Sequence, residues 1–92
     1  MTLDQLFNII LDRQEYAPAG SYTASLFAEG LPKIAQKVGE EATETVVAAL
    51  SQDDQRLIEE LADLTFHALV LLAARRLKPG AVMDELDRRH AG

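Results

Sequence analysis

Between Phe66 and Ala74 the chain reads Phe-His-Ala-Leu-Val-Leu-Leu-Ala-Ala, apolar at every position except His67. Wound into a helix, this stretch offers water no face, and a helix apolar on every side has to be covered on every side. Only 92 residues are available to do so, enough for a single domain with one modest core. No cysteine is present, so neither disulfides nor thiolate metal sites reinforce that core, and the absence fits a reducing compartment. The expectation is one domain, residues 1–92, folded as an all-α compact bundle of four to five helices and packing as a homodimer.

Thr2-x-x-Gln5 ahead of Leu6, Phe7, Ile10 and Leu11 has the form of a capping box and predicts a helix to about Gln14. Pro18 and Gly20 mark a loop from Glu15, after which Ser21 caps a short helix through Phe27 that Gly30 ends. Pro32 suits a first helical turn, and Ile34, Val38, Ala42, Thr45, Val46 and Ala49 recur at spacings of three and four, predicting a helix to about Leu50. The turn Ser51 to Asp54 carries an N-cap for an antiparallel helix that runs to about Leu77, where Lys78-Pro79-Gly80 stops it. A last helix, about Ala81 to His90, is expected to turn Val82 and Leu86 inward, with Met83 a further candidate. No strand, repeat, linker or low-complexity segment is evident.

The formal charge of −6 and pI near 4.7 argue against a nucleic-acid polymer as partner, since such binding rests on lysine and arginine. On charge alone the acidic surface simply keeps the protein in solution. An anionic small molecule remains open to it if a metal cation mediates. Met1-Thr2-Leu3-Asp4 has no basic region, and the apolar stretch Leu64 to Ala74 falls short of the roughly 18 residues a membrane span needs. No membrane association and a cytoplasmic location are therefore expected.

On a helical wheel Lys33, Lys37, Glu41, Glu44 and Ala48 share one stripe, with Glu40 pointing further toward the opposite side. On the next helix Arg56, Glu60, Asp63 and His67 share another. Either carboxylate pair alone is at home on a solvated helix face. Together, on consecutive antiparallel helices, they place like charges against one another and call for a cation. All-oxygen ligation suits Mg²⁺. Zinc would want nitrogen, which only His67 and His90 offer, or thiolate sulfur, which is absent, and a di-iron bundle wants Glu-x-x-His, whereas His67 follows Asp63 by four. His67 alone is more often a hydrogen-bonded core histidine.

These residues resemble a known family. Glu40-Glu41-Ala42-Thr43-Glu44 followed by Glu60-Leu61-Ala62-Asp63 matches the pattern of the MazG-like, dimeric dUTPase-like all-α nucleotide pyrophosphohydrolases. Ser21-Tyr22-Thr23-Ala24-Ser25-Leu26-Phe27, Lys33-Ile34-Ala35-Gln36-Lys37-Val38-Gly39-Glu40-Glu41 and Ala62-Asp63-Leu64 with His67 resemble more narrowly the phosphoribosyl-ATP pyrophosphohydrolases of histidine biosynthesis. The similarity runs from about Leu6 to His90. It implies hydrolysis of phosphoribosyl-ATP to phosphoribosyl-AMP and pyrophosphate, with Mg²⁺ held by Glu41, Glu44, Glu60 and Asp63 and an activated water as nucleophile. Some relatives are fused to the cyclohydrolase of the following step, a zinc enzyme relying on cysteines, which this chain is expected to leave to another polypeptide.

Within that reading either Glu41 or Glu40 takes the proton of the attacking water. Lys33 and Lys37 are candidates for phosphate contact, against the alternative of an i,i+4 salt bridge from Lys37 to Glu41. Ser21, Tyr22, Thr23 and Ser25 are candidates for ribose or phosphate, against simple helix capping. His67 is given a substrate-facing or supporting place. Arg88 and Arg89 are candidates for the ribose 5-phosphate, against plain solvation. Two other functions stay open: a housecleaning pyrophosphatase of ordinary or damaged nucleoside triphosphates, and a non-catalytic helical interaction module.

Overall fold

A computed structural model describes residues 1–91; Gly92, the last residue of the expected domain, lies outside the described residues. Five helices follow one another: α1 (Leu3–Tyr16), α2 (Tyr22–Glu29), α3 (Leu31–Ser51), α4 (Asp54–Ala74) and α5 (Pro79–His90), with no strand among the described residues. The all-α expectation holds, and the differences lie at helix ends and in two helix faces.

The capping box forms as read: the Gln5 N–H donates to Thr2 Oγ1 at 3.1 Å and the Thr2 N–H donates to Gln5 Oε1 at 2.8 Å. α1 runs past Gln14 to Tyr16 because Ala17 adopts the left-handed conformation, φ 42°, and returns its N–H to the Arg13 carbonyl. Ser21 caps α2 as expected, accepting from the Ala24 N–H. Gly30 then serves two helices: at φ 94° its N–H closes α2 on Leu26 and its carbonyl accepts from Ile34 to open α3. A side chain there would be strained by that φ, so glycine lets two helices meet with no connecting loop.

Asp53 caps α4 through the Arg56 N–H at 2.9 Å. The helix stops at Ala74, three residues before the expected Leu77. Arg76, at φ 59°, donates to the Ala73 carbonyl and Leu77 donates to the Leu72 carbonyl at 2.8 Å. This is a Schellman ending with arginine where glycine is usual. Pro79 is therefore the first residue of α5, not the end of α4, in agreement with the preference of proline for that position.

α3 and α4 form an antiparallel hairpin with the most extensive helix contact; α1 crosses α4, α2 wedges against α3 and α1, and α5 rests on α1. The core consists of Phe7, Ile10, Leu26, Ile34, Leu69, Val70 and Ala73. Only one side of the apolar stretch is fully covered, since Phe66, Leu71, Leu72 and Ala74 are partly buried. On α3 the buried face runs through Ile34, Glu41 and Ala48, which leaves Val46 and Ala49 exposed although the spacing had grouped them inward. Val46 to Leu50 is apolar at every position, so the helical phase cannot be read there. Val82, Met83 and Leu86 also remain exposed, because α5 lies on α1 through its first turn, where Pro79 is buried. Among the described residues no helix is long and apolar enough to cross a membrane.

The left-handed Arg76 gives a direct test of this ending. A side chain in that conformation costs roughly 1–2 kcal/mol, partly offset by the greater freedom glycine adds to the unfolded chain. Arg76→Gly is expected to stabilise the protein by about 0.5–1 kcal/mol, read from the urea midpoint at fixed protein concentration. A loss of stability would show that α4 does not end in this way.

Candidate active site

Consecutive turns of α3 carry Glu41 and Glu44, and consecutive turns of α4 carry Glu60 and Asp63, so the antiparallel hairpin brings all four carboxylates to one place. One oxygen each from Glu41, Glu60 and Asp63 lies within 4.8 Å of the other two. Glu44 stands beside this triangle, close enough to raise the pKa of both Glu41 and Glu60. Asp63 and Glu44 open to solvent, whereas Glu41 and Glu60 are only 6 % and 5 % exposed. The Oε2 atoms of both buried glutamates have no hydrogen-bond partner.

That arrangement is costly as it stands. Burial pushes the Glu41 carboxyl above its ordinary range, and the neighbouring Glu44 and then Asp63 push it further, against a small opposing effect of His67. Burial raises Glu60 as well, followed by Glu44, with Arg56 opposing. A buried charge wants a partner, and partnerless carboxylate oxygens on facing helices are the donor set of a hard divalent cation. The residues present therefore fit Mg²⁺.

Other expected residues are placed differently. Glu40 leans out of the cluster and accepts from Gln36 Nε2 at 2.8 Å, with Lys37 Nζ at 3.3 Å; Gln36 and then Lys37 hold its pKa low. Lys37 also lies 3.6 Å from Glu41, so the expected i,i+4 ion pair forms. Burial would depress the Lys37 ammonium, but the Glu40 hydrogen bond and the charges of Tyr22, Glu40 and Glu41 outweigh it and the net shift is upward. Lys33, one turn earlier, has no ion pair among the described residues.

His67 is buried and bonded at both ring nitrogens. Nδ1 lies 2.7 Å from the Asp63 carbonyl, which can only accept, so this nitrogen carries the proton. In the neutral ring Nε2 then accepts from the Tyr22 hydroxyl at 2.9 Å, with the two rings edge to face. The pair pins the start of α2 to the carboxylate-bearing part of α4. Ser21 spends its hydroxyl on the helix cap and Ser25 donates to the Tyr22 carbonyl at 2.6 Å; Thr23 is partly buried beside them. Arg88 and Arg89 bind Glu85 of their own helix, and Arg89 lines a groove with Leu72 and Leu77, at the end of α4 remote from Glu60.

Arg56 had a place on the α4 stripe but no role. It donates to Glu59 at 2.9 Å and to Glu60 at 2.6 Å. The i,i+4 spacing from Arg56 to Glu60 was the signal available for it.

Raised carboxyl pKa values set the pH dependence of the metal-free protein. The folded chain holds the Glu41 and Glu60 protons more tightly than the unfolded chain, whose value is near 4.5. Their contribution to stability is thus greatest at low pH and is lost as pH rises through the raised values. Glu40 and Glu85 are lowered, so what they contribute is kept down to 4.5 and lost only below it. With chelator present, the melting temperature is expected to rise as pH falls from neutrality toward 4.5, and excess Mg²⁺ to flatten the slope. A metal-free protein that melts lower at the acidic end would contradict the crowding of these carboxylates.

Comparison with known proteins extends this geometry. The family described as phosphoribosyl-ATP pyrophosphohydrolase matches residues 3–90. A phosphoribosyl-ATP pyrophosphatase of Saccharolobus solfataricus is 49% identical over 87 residues, 95% of this chain and 93% of the relative. One from Trichlorobacter lovleyi is 54% identical over 95% of this chain and 81% of its own length. One from Erythrobacter litoralis is 56% identical over 96% and 85%. With the match running from the start of α1 to the end of α5 and enclosing all four carboxylates, the chain belongs to the phosphoribosyl-ATP pyrophosphohydrolase family.

Proposed function

We propose that this chain hydrolyses phosphoribosyl-ATP to phosphoribosyl-AMP and pyrophosphate, the second step of histidine biosynthesis, with Mg²⁺ held by Glu41, Glu44, Glu60 and Asp63. The observation that carries this reading is the pair of buried, partnerless oxygens, Glu41 Oε2 and Glu60 Oε2, on facing helices. Bound there, Mg²⁺ supplies Lewis-acid neutralisation of phosphate charge in the reaction. Glu41 and Glu60 share a raised pKa and an unused oxygen, but Arg56 holds Glu60 at 2.6 Å while Lys37 stays 3.6 Å from Glu41, so Glu41 is the carboxylate better suited to take a proton from the attacking water. Glu40, lowered and already engaged by Gln36 and Lys37, is the weaker base and holds Lys37 in place.

The phosphoribosyl group needs recognition beyond the triphosphate. Tyr22 offers it lone pairs, since the phenolic proton is directed at His67, and Lys33 is a cation with no ion pair among the described residues. Thr23 adds a hydroxyl nearby, while Ser21 and Ser25 mainly shape the turn. Arg88 and Arg89 serve the ribose 5-phosphate only by exchanging Glu85 for it. A charged nucleotide of this kind does not cross a membrane unaided, so the reaction is placed in the cytoplasm.

The test is phosphorus NMR of the products formed from phosphoribosyl-ATP, ATP and dUTP with Mg²⁺. Pyrophosphate, and not orthophosphate, should appear, with phosphoribosyl-ATP preferred in kcat/KM by roughly 10² to 10⁴, as expected for losing hydrogen bonds and charge contacts worth about 3–5 kcal/mol. Equal values for all three would move the chain to the housecleaning pyrophosphatases. Asp63→Ala and Glu44→Ala should abolish turnover yet leave metal-free stability equal or slightly higher, because each relieves repulsion. A large loss of stability in both would make these residues structural.

We also propose that the working form is a homodimer. Val46 and Leu50 on α3 and Ile58 and Leu61 on α4 are apolar and exposed, Leu50 by 82 %, and a second copy is the economical way to cover them in so short a chain. Melting temperature should then rise with protein concentration. A concentration-independent 10 kDa species in sedimentation would overturn the dimer.

A further inference from the structure

At the turn end of the hairpin, on the side of the carboxylates away from Tyr22 and Lys37, α3 and α4 part to leave a cleft of about 240 Å³ lined by Thr43, Glu44, Val47, Gln52, Arg56 and Glu60. All of these but Val47 are polar. The volume is below the roughly 300–1,000 Å³ of a pocket for a whole small molecule, so the cleft suits a fragment of a nucleotide and no more. It shares Glu44 and Glu60 with the carboxylate cluster. Glu60, 5 % exposed, keeps its Oε2 without a partner.

The donors lining the cleft are suited to an oxyanion. Arg56 has five N–H groups, of which the structure engages one toward Glu59 and one toward Glu60. The Glu59 bond is an exposed ion pair, side chains 50 % and 41 % accessible, of the kind that contributes little and is readily exchanged. The Gln52 side chain, at the C-cap of α3, has no hydrogen bond among the described residues. Thr43 donates to the Gly39 carbonyl and so keeps only lone pairs toward the cleft. Left to themselves Glu44 and Glu60 would repel an anion, so the cleft can take one only together with a cation on the carboxylates.

We propose that this cleft seats the pyrophosphate half of the substrate, with Arg56 as the residue that binds a phosphate oxygen and Gln52 as a second donor. The inference rests on the functional reading above and deepens it. Arg56 keeps its bond to Glu60 and turns its outer edge from Glu59 to phosphate. Lys37 on one flank and Arg56 on the other then bracket the carboxylates, and the bond to be cleaved lies between them. The leaving pyrophosphate departs on the Arg56 side, and the nucleoside monophosphate remains on the side of Tyr22 and His67.

Calorimetry on the full chain tests this without turnover, using Mg²⁺ alone and then inorganic pyrophosphate with Mg²⁺ present. In Arg56→Gln the affinity for Mg²⁺ should stay within about threefold of the unsubstituted chain, or tighten, because a competitor for Glu60 is gone. The affinity for pyrophosphate should fall by about 10- to 100-fold, as for losing a charged hydrogen bond. Arg56→Lys should recover part of that loss, and Gln52→Ala should show a smaller loss of its own. Pyrophosphate affinity unchanged within twofold in Arg56→Gln would overturn the assignment while leaving the functional reading untouched. Failure of the unsubstituted chain to release pyrophosphate from phosphoribosyl-ATP would instead defeat the functional reading, and this inference with it.

Discussion

Glu41 and Glu60 hold their side chains in the seam between α3 and α4, each with an oxygen that no hydrogen-bond donor reaches. Burying a carboxylate without a partner opposes folding, and doing so twice on facing helices adds mutual repulsion. The rest of the molecule is arranged so that this seam nevertheless closes. Ile34 on α3 and Leu69, Val70 and Ala73 on α4 join Phe7, Ile10 and Leu26 in the core that clamps the hairpin. The apolar half of α4 supplies packing that its acidic half takes away, and the two halves belong to one continuous helix.

The charges around the seam are balanced only in part. Lys37 lies 3.6 Å from Glu41 and Arg56 lies 2.6 Å from Glu60, each one helical turn from its carboxylate on the same helix. Two cations facing four carboxylates leave a net negative site, and each cation is shared with an outer glutamate, Glu40 or Glu59. Full neutralisation by protein groups would leave no binding energy for a metal ion. Partial neutralisation lets the seam close while leaving a negative charge that the proposed metal ion would offset. Among the described residues α2 is tied to α4 by one side-chain hydrogen bond, the Tyr22 hydroxyl on His67, whose other nitrogen is tied to the Asp63 carbonyl.

What the sequence made legible follows from the range of each interaction. The carboxylate set was readable because spacings of three and four fix which side chains share a helix face, and a short turn between two long helices leaves little choice but an antiparallel pair. The Thr2–Gln5 box was readable for the same reason, as an interaction over three residues. The Tyr22–His67 bond spans 45 positions and no local pattern announces it. The ends of α1 and α4 were hidden because Ala17 and Arg76 adopt the left-handed conformation that sequence reasoning assigns to glycine. Val46 and Val82 were misplaced because helices with apolar residues on several faces, or with few neighbours, do not reveal their phase.

The adjacent residues Glu40 and Glu41 show how much that phase decides. They are chemically identical and neighbours in the chain, yet a helix of 3.6 residues per turn separates their directions by about 100°. Glu41 turns into the seam, where burial, then Glu44 on its own helix and Asp63 across from it raise its pKa. Glu40 turns to water, where Gln36 and Lys37 lower its own. Opposite shifts in equal side chains set the two apart: one is buried in the seam with an oxygen short of a partner, and the other is an exposed anion held by Gln36 and Lys37. Inserting or deleting a residue between Gly30 and Glu40 would preserve the composition of α3 yet rotate this pair out of register with Glu60 and Asp63, so the site depends on helical phase more than on the count of its carboxylates.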